Sequence, residues 1–283
     1  LAKPVYLTMY GQRTQRGGFA RVDGRRGGAT PVLWGDAAFD PRRARDAEVW
    51  VASRQTFTEY PDWWRLDAGA PAERLTDGGR QLDAFVWSSG TRTVDFVSEK
   101  GDSLQGILFL PAGYREGTRV PTVTYIYERL TQDRHRFRHP SETNGTGVHP
   151  GMFTSRGYAV FMPDIAYKID DPGMSALWAV RPAVRAAVAT GVVDSTRLGI
   201  QGHSWGGYQT SFLITQTPMF RAAIAGAPLT DLVSMHSSIY WNSGLSNMGI
   251  FRSSQGRFTG SFLDIPAAYE RNSPNRHAAR ITT

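Results

Sequence analysis

The chain has 283 residues, 41% hydrophobic and 20% charged, which is a globular composition with enough apolar material for one large domain or two ordinary ones. No run of about 18 apolar residues is present to cross a membrane as a helix, and the lack of cysteine excludes disulfides, thiolate metal sites and cysteine catalysis. The net charge of +7 rests almost wholly on scattered arginine, the only lysines being Lys3, Lys100 and Lys168, so it points to a solvated surface and not to a nucleic-acid groove.

The chain opens on Leu1 with no basic-then-apolar leader, which suggests a fragment or processed form of a soluble protein, cytoplasmic or exported. Residues 1–90 alternate short β-rich runs with Gly, Pro and Asp turns. They also repeat. Val5-Tyr6-Leu7 aligns with Val49-Trp50-Val51 and Arg21-Val22-Asp23 with Arg65-Leu66-Asp67, both at an offset of 44, and Leu33 and Leu75 close the two units. A period of 40–50 residues with several strands per unit predicts β-propeller blades; a complete ring takes about 4–8 blades, so these two read as the last of a longer propeller.

From residue 91 the texture changes. Thr91–Ser98 and Leu104–Pro111 predict a hairpin around Lys100-Gly101-Asp102. Val120–Tyr127 is β-branched and aromatic, as a buried strand is, and a polar loop follows over 128–150. Gly157–Pro163 predicts the next strand. Leu177, Val180, Val184 and Val188 share one face of a helix over 174–190, with Pro182 a candidate kink. A strand over 198–203, a helix over 205–217 and a strand over 222–227 complete a β/α alternation, the mark of a doubly wound, mostly parallel sheet. Beyond Pro228 the chain is mixed and loop-rich.

The stretch Leu198–Tyr208 carries the chemistry. Gly202-His203-Ser204-Trp205-Gly206 matches G-x-S-x-G between a strand and a helix, the pattern of a nucleophile elbow. Glycine is required where the two backbones converge, because a Cβ at Gly202 or Gly206 would collide. Ser204 then sits strained at the apex, and the Trp205 N–H at the helix start faces a developing oxyanion. The other readings of a Gly-rich strand–helix turn, a P-loop or a dinucleotide site, lack their G-K-[ST] ending and their glycine spacing.

Together, the two-unit repeat, Lys100–Pro111, Tyr125-Ile126-Tyr127, Asp194–Tyr208, Ala225–Pro228 and Tyr269–Pro274 resemble the prolyl oligopeptidase family of serine peptidases over nearly the whole chain. The resemblance implies an α/β-hydrolase domain over 91–283 preceded by propeller blades over 1–90. It implies a peptide substrate, hydrolysis through an acyl-enzyme on Ser204, an oxyanion hole of Trp205 N–H and Tyr127 O–H with Tyr125 as the alternative donor, and no cofactor. It also suggests a pocket from Trp205, Leu232, Met235, Ile239, Tyr240 and Trp241, with core packing an equal explanation for Leu232 and Ile239.

The family's catalytic Asp and His would fall beyond Thr283, so the domain is expected to lack its last strands and helices, and these residues alone to be inactive. Within the chain, Asp231 reads as a helix cap, His277 as a solvated histidine, and His203 as pointing away from its neighbour. His135, His139, His149 and His236 are scattered and converge on no metal site. An esterase on the same scaffold and a non-catalytic propeller interaction module are the alternatives. Substrate preference, exo- or endopeptidase mode and homo-oligomer formation stay open.

Overall fold

The computed structural model describes residues 4–23, 28–47, 49–67, 70–139 and 147–283; Lys3, two turns of the repeat and the middle of the 128–150 loop lie outside them. The chain divides into two compact units, Leu1–Thr91 with Gln132–Pro140, and Arg92–Thr131 with Ser141–Thr283. The segment 132–140 thus groups with the first unit, although it lies in the polar loop that sequence assigned to the second domain.

The first unit holds two antiparallel meanders. β1 (Val5–Tyr10), β2 (Gly17–Val22) and β3 (Ala29–Gly35) form one sheet; β4 (Ala38–Arg43), β5 (Trp50–Gln55), β6 (Asp62–Asp67) and β7 (Ala70–Arg74) form the other. The 44-residue offset superposes β1 on β5 and β2 on β6, and each unit then adds a third strand, β3 or β7. β4 falls outside the repeat; it carries Pro41 and lies at the edge of its sheet, where a missing N–H is tolerated. The two sheets share a small core in which Phe19, Leu33, Ala52 and Leu66 are buried, and the Trp50 ring meets those of Tyr6 and Phe19 at 4.5 and 5.0 Å. Buried Asp62 ties β6 to the turn beyond β7, accepting from the Thr76 hydroxyl and Gly78 N–H at 2.7 Å each.

The second unit is built on a six-stranded sheet. Its strands are β8 (Thr91–Val97), β9 (Ser103–Phe109), β10 (Val120–Tyr125), β11 (Ala159–Pro163), β12 (Val193–His203) and β13 (Ala222–Gly226), in the order β13-β12-β10-β11-β9-β8. β13, β12, β10 and β11 run parallel and β9 antiparallel to β11. The helices are α1 (Pro150–Thr154), α2 (Pro172–Ala189), α3 (Trp205–Ile214), α4 (Leu232–His236), α5 (Met248–Arg252) and α6 (Pro266–Asn272), and a 3-10 turn covers Pro274–Arg280.

α1 follows the polar loop where sequence assigned no element, and α4–α6 are short elements in the stretch that sequence read as mixed and loop-rich. Residues 281–283, which follow the 3-10 turn, are not in a strand. α2 runs through Pro182 unbroken and buries Leu177, Val180 and Val184 against the sheet. α3 is buried nearly all round and carries no charge, so it is an interior helix.

The connection from β10 leads to β11 on one side, and that from β12 leads to β13 on the other. Right-handed crossovers then put α1 on one face and α2 with α3 on the opposite face. The carboxyl ends of β10 and β12 therefore flank a topological switch point, the place where open α/β sheets bind ligands.

Candidate active site

The elbow stands at that switch point. Ser204 has φ 56° and ψ −116°, a strained backbone for a residue with a side chain. The turn holds because its neighbours are bare. A Cβ on Gly202 would come 2.2 Å from the Gly206 carbonyl oxygen, one on Gly206 would come 2.3 Å from the Ile126 oxygen, and one on Gly207 would come 2.3 Å from the Gly226 oxygen. The Ser204 N–H donates to Gly226 O at 2.8 Å, and the helix begins with Tyr208 N–H on Ser204 O at 2.9 Å. Trp205 is the first residue of α3, so its N–H has no acceptor in a preceding turn and lies at the positive end of the helix.

Tyr127 stands across the switch point. Tyr125 pairs with Gln201, which places Tyr127 level with His203. Its ring edge, at Cδ2, lies 3.4 Å from where a Cβ on Gly206 would be. Tyr127 is held at both ends. Its carbonyl accepts from the Tyr167 hydroxyl at 2.9 Å, and its own hydroxyl accepts from Gln255 Nε2 at 2.8 Å. Gln209 of α3 donates to the same Tyr167 hydroxyl. Burial, with the nearby Glu128 charge, pushes the Tyr167 phenol far above its ordinary value, so it remains a neutral donor. Tyr125, the alternative donor, is buried in β10.

Asp164, at the end of β11, fixes the loop just beyond Tyr127. Its carboxylate accepts from the Leu130 N–H at 2.7 Å, the Thr131 N–H at 3.0 Å and the Thr131 hydroxyl at 2.7 Å.

The tail that resembled the family serves as a clamp. Fully buried Asn272 accepts through Oδ1 from Gly173 N–H at 2.9 Å and Met174 N–H at 3.2 Å, which caps α2. Its carbonyl accepts from the Tyr208 hydroxyl at 3.0 Å. Ser273 Oγ accepts from Leu232 N–H at 3.0 Å, and so fixes the start of α4.

The residues suggested for the substrate pocket are spread out. Trp205 and Leu232 are fully buried in an aromatic cluster with Tyr208, Phe212, Phe251, Phe258 and Tyr269, and Met235 packs partly buried against it. Ile239, Tyr240 and Trp241 are exposed, Trp241 completely. An open cleft lies elsewhere, bordered by Glu128, the neighbour of Tyr127 in the chain. This cleft of about 600 Å³ is lined by Glu128, Ile169, Arg252, Gln255, Arg257 and Phe258 among others. Sequence reasoning passed over residues 252–259 because nothing local marks them.

The other titratable candidates lie in structural roles. Asp231 caps α4 by accepting from Val233 and Ser234 N–H at 3.0 and 3.3 Å. His277 bonds the Arg271 carbonyl at 3.0 Å and packs on Phe212, about two turns down α3 from Ser204. The His203 ring lies against Gly226, its Nδ1 2.8 Å from where a Cβ there would stand. Among the described residues, no cluster of three or more His, Asp or Glu could hold a metal ion, and no helix is long and apolar enough to cross a membrane.

Comparison with known proteins places this geometry in a family. The model of the prolyl oligopeptidase family matches residues 180–274, which include the elbow and the Tyr269–Pro274 tail. The uncharacterized peptidase YuxL of Bacillus subtilis (strain 168) is 31% identical over 242 residues, 84% of this chain and 36% of YuxL. Dipeptidyl peptidase 8 of Homo sapiens is 30% identical over 154 residues, 48% of this chain and 16% of that protein. This chain therefore spans roughly a third or less of these relatives' length.

Among solved structures, dipeptidyl peptidase 4 of Porphyromonas gingivalis aligns with a TM-score of 0.69 at 17% identity, over 98% of this chain and 39% of that one. A puromycin-hydrolyzing peptidase of Mycobacterium tuberculosis aligns at 0.69 and 20%, over 98% and 43%. At such identities the two structures speak for the fold alone. Through residues 180–274 the chain is assigned to the prolyl oligopeptidase family.

Proposed function

We propose that the protein is a serine peptidase that hydrolyses peptide bonds of short peptides through an acyl-enzyme on Ser204. The observation that carries this reading is the strained Ser204 at φ 56°, at the carboxyl end of β12 and beside Tyr127 at the end of β10. In the proposed reaction the Ser204 hydroxyl attacks the peptide carbonyl. The Trp205 N–H and the Tyr127 O–H then stabilise the negative charge that forms on the carbonyl oxygen, and removing one such donor typically costs about 100- to 1000-fold in kcat. A general base takes the serine proton and returns it to the leaving amine.

Among the described residues none forms a hydrogen bond with Ser204 Oγ. We therefore take residues 1–283 alone to turn over peptide amides slowly, since an unactivated serine is a weak nucleophile. The two repeated meanders of the first unit are read as propeller blades, on the strength of the 44-residue offset and their antiparallel order. By family resemblance, a propeller would limit substrates to short peptides.

The test is turnover of matched peptide-amide and ester substrates by the full-length protein and its Ser204→Ala variant. Amide cleavage that disappears in the variant supports the peptidase reading. Ester cleavage without amide cleavage would replace it with an esterase, and no turnover of either would favour an interaction module.

A further inference from the structure

We infer that Gln255 is a positioning residue that aims the Tyr127 hydroxyl proton at the oxyanion; this rests on the reading of Tyr127 as an oxyanion donor. A phenol has one proton to donate and lone pairs that accept. Tyr127 serves as an oxyanion donor only if its proton is turned toward the reacting carbonyl. Gln255 Nε2 donates to the Tyr127 oxygen at 2.8 Å and occupies an accepting side of it. The O–H must then point elsewhere, and receiving a hydrogen bond polarises it into a better donor.

The loop that delivers Gln255 is tightly built for the purpose. Gly256 follows it where a Cβ would stand 2.7 Å from both the Cα and the oxygen of Phe251, so only glycine fits. Arg257 takes a positive φ of 54°, unusual for a residue with a side chain. Contacts from three directions hold it there. Its guanidinium donates to Glu128 at 3.1 Å and to the Gln255 carbonyl at 2.7 Å, and it lies over the Tyr167 ring with its Cζ 4.2 Å from the centroid.

Glu128 adjoins Tyr127 in the chain, and the Tyr167 hydroxyl donates to the Tyr127 carbonyl. The contacts thus close a ring, running from the Tyr127 carbonyl through Tyr167, Arg257 and Gln255 back to the Tyr127 hydroxyl. A surface loop held only for stability has no need of a half-buried arginine with three partners and a positive φ to orient one amide. This loop also lines the 600 Å³ cleft together with Glu128, so the segment that borders this cleft also bonds the Tyr127 hydroxyl.

The experiment is a double-mutant cycle on the full-length protein with Tyr127→Phe, Gln255→Leu and the combination, reading kcat and KM on a chromogenic peptide amide. Tyr127→Phe is expected to lower kcat by about 100-fold or more. Gln255→Leu should lower it by about 5- to 10-fold, the worth of one hydrogen bond, with KM unchanged. The double variant should fall no lower than Tyr127→Phe alone, because Gln255 has nothing left to orient. A loss from Gln255→Leu that persists in full in the Tyr127→Phe background would overturn the inference, and so would no loss from Gln255→Leu while Tyr127→Phe is impaired. No loss from Tyr127→Phe would instead refute the oxyanion reading itself.

Gln255→Glu guards against a Leu variant that unfolds. It keeps the shape but accepts the Tyr127 proton instead of donating, so kcat should drop more than in Gln255→Leu at unchanged melting temperature; activity equal to wild type would count against the inference.

Discussion

Two glycines on the same strand, Gly199 and Gly202, should respond in opposite ways to a single methyl group. At Gly202 the added Cβ would sit 2.2 Å from the Gly206 oxygen and 2.3 Å from its carbon, both backbone atoms of the first turn of α3. Contacts of Cβ under 3.0 Å are essentially never seen, so strand and helix must separate by about 0.8 Å or more. Overpacking of this kind costs about 1–3 kcal/mol. Replacing glycine in a strand returns about 0.5–1 kcal/mol, so Gly202→Ala should lose about 0–2.5 kcal/mol net.

The chemical cost is larger, because the strain falls on the two segments that hold Ser204 between them. A displacement near 1 Å at a reacting group costs about 100-fold in rate. At Gly199 the nearest atom to an added Cβ is the Ala222 oxygen at 3.8 Å, an ordinary contact. Gly199→Ala should therefore label at the wild-type rate and unfold at equal or slightly higher urea. The assay is the second-order rate of fluorophosphonate labelling of the full-length protein, with urea denaturation on the same samples. Equal labelling rates for the two variants would refute the claim that the close approach at Gly202 positions the serine.

Other consequences follow from the same geometry. Ser204→Gly should raise stability by about 1 kcal/mol in urea denaturation while abolishing labelling. It relieves about 1–3 kcal/mol of backbone strain and gives back about 0.5–1 in unfolded-chain entropy; a destabilised variant would contradict the strain. Asn272→Ala should cost about 3–4 kcal/mol, since it strips two N–H partners from the start of α2 in a fully buried site; a loss under about 1 kcal/mol would mean water or a neighbour replaces them.

His236 is buried among Phe251, Phe262 and Tyr269, and burial together with the Arg252 charge holds its pKa below the ordinary value. A depressed pKa means that the unfolded chain takes up the proton first. Its contribution is complete above about pH 6.5 and is lost as pH falls from there toward the folded-state pKa. Stability should thus decline below pH 6.5 in urea titrations, and His236→Phe should flatten that decline; parallel curves for the two proteins would refute it.

The elbow was readable because its constraint is local. Gly202, Gly206 and Gly207 stand within six residues of one another, and backbone crowding over that distance leaves a mark in composition. The parallel sheet was readable for a similar reason, since its buried strands are apolar runs. Tyr127 could be placed only through the family resemblance, and the strand register supplies the physical reason it meets the elbow. Gln255 could not be found, because its partner lies 128 residues away and a lone glutamine in a loop has no pattern. The short helices α4–α6 escaped too, because elements of 5–7 residues carry less than two turns of periodicity. The grouping of 132–140 with the first unit is equally a long-range fact: His135 and Arg134 meet Asp36 at 3.1 and 3.5 Å, and no local feature of that Arg/His run names its partner.

The central claim is that Ser204 is the nucleophile, and site mapping tests it most directly. The full-length protein would be treated with a fluorophosphonate, digested and analysed by mass spectrometry, with Ser204→Ala and Tyr127→Phe alongside. The account predicts one adduct, on Ser204, absent from Ser204→Ala and formed far more slowly in Tyr127→Phe. An adduct on another residue, or no adduct in the wild-type protein under conditions that label a known serine peptidase, would contradict it.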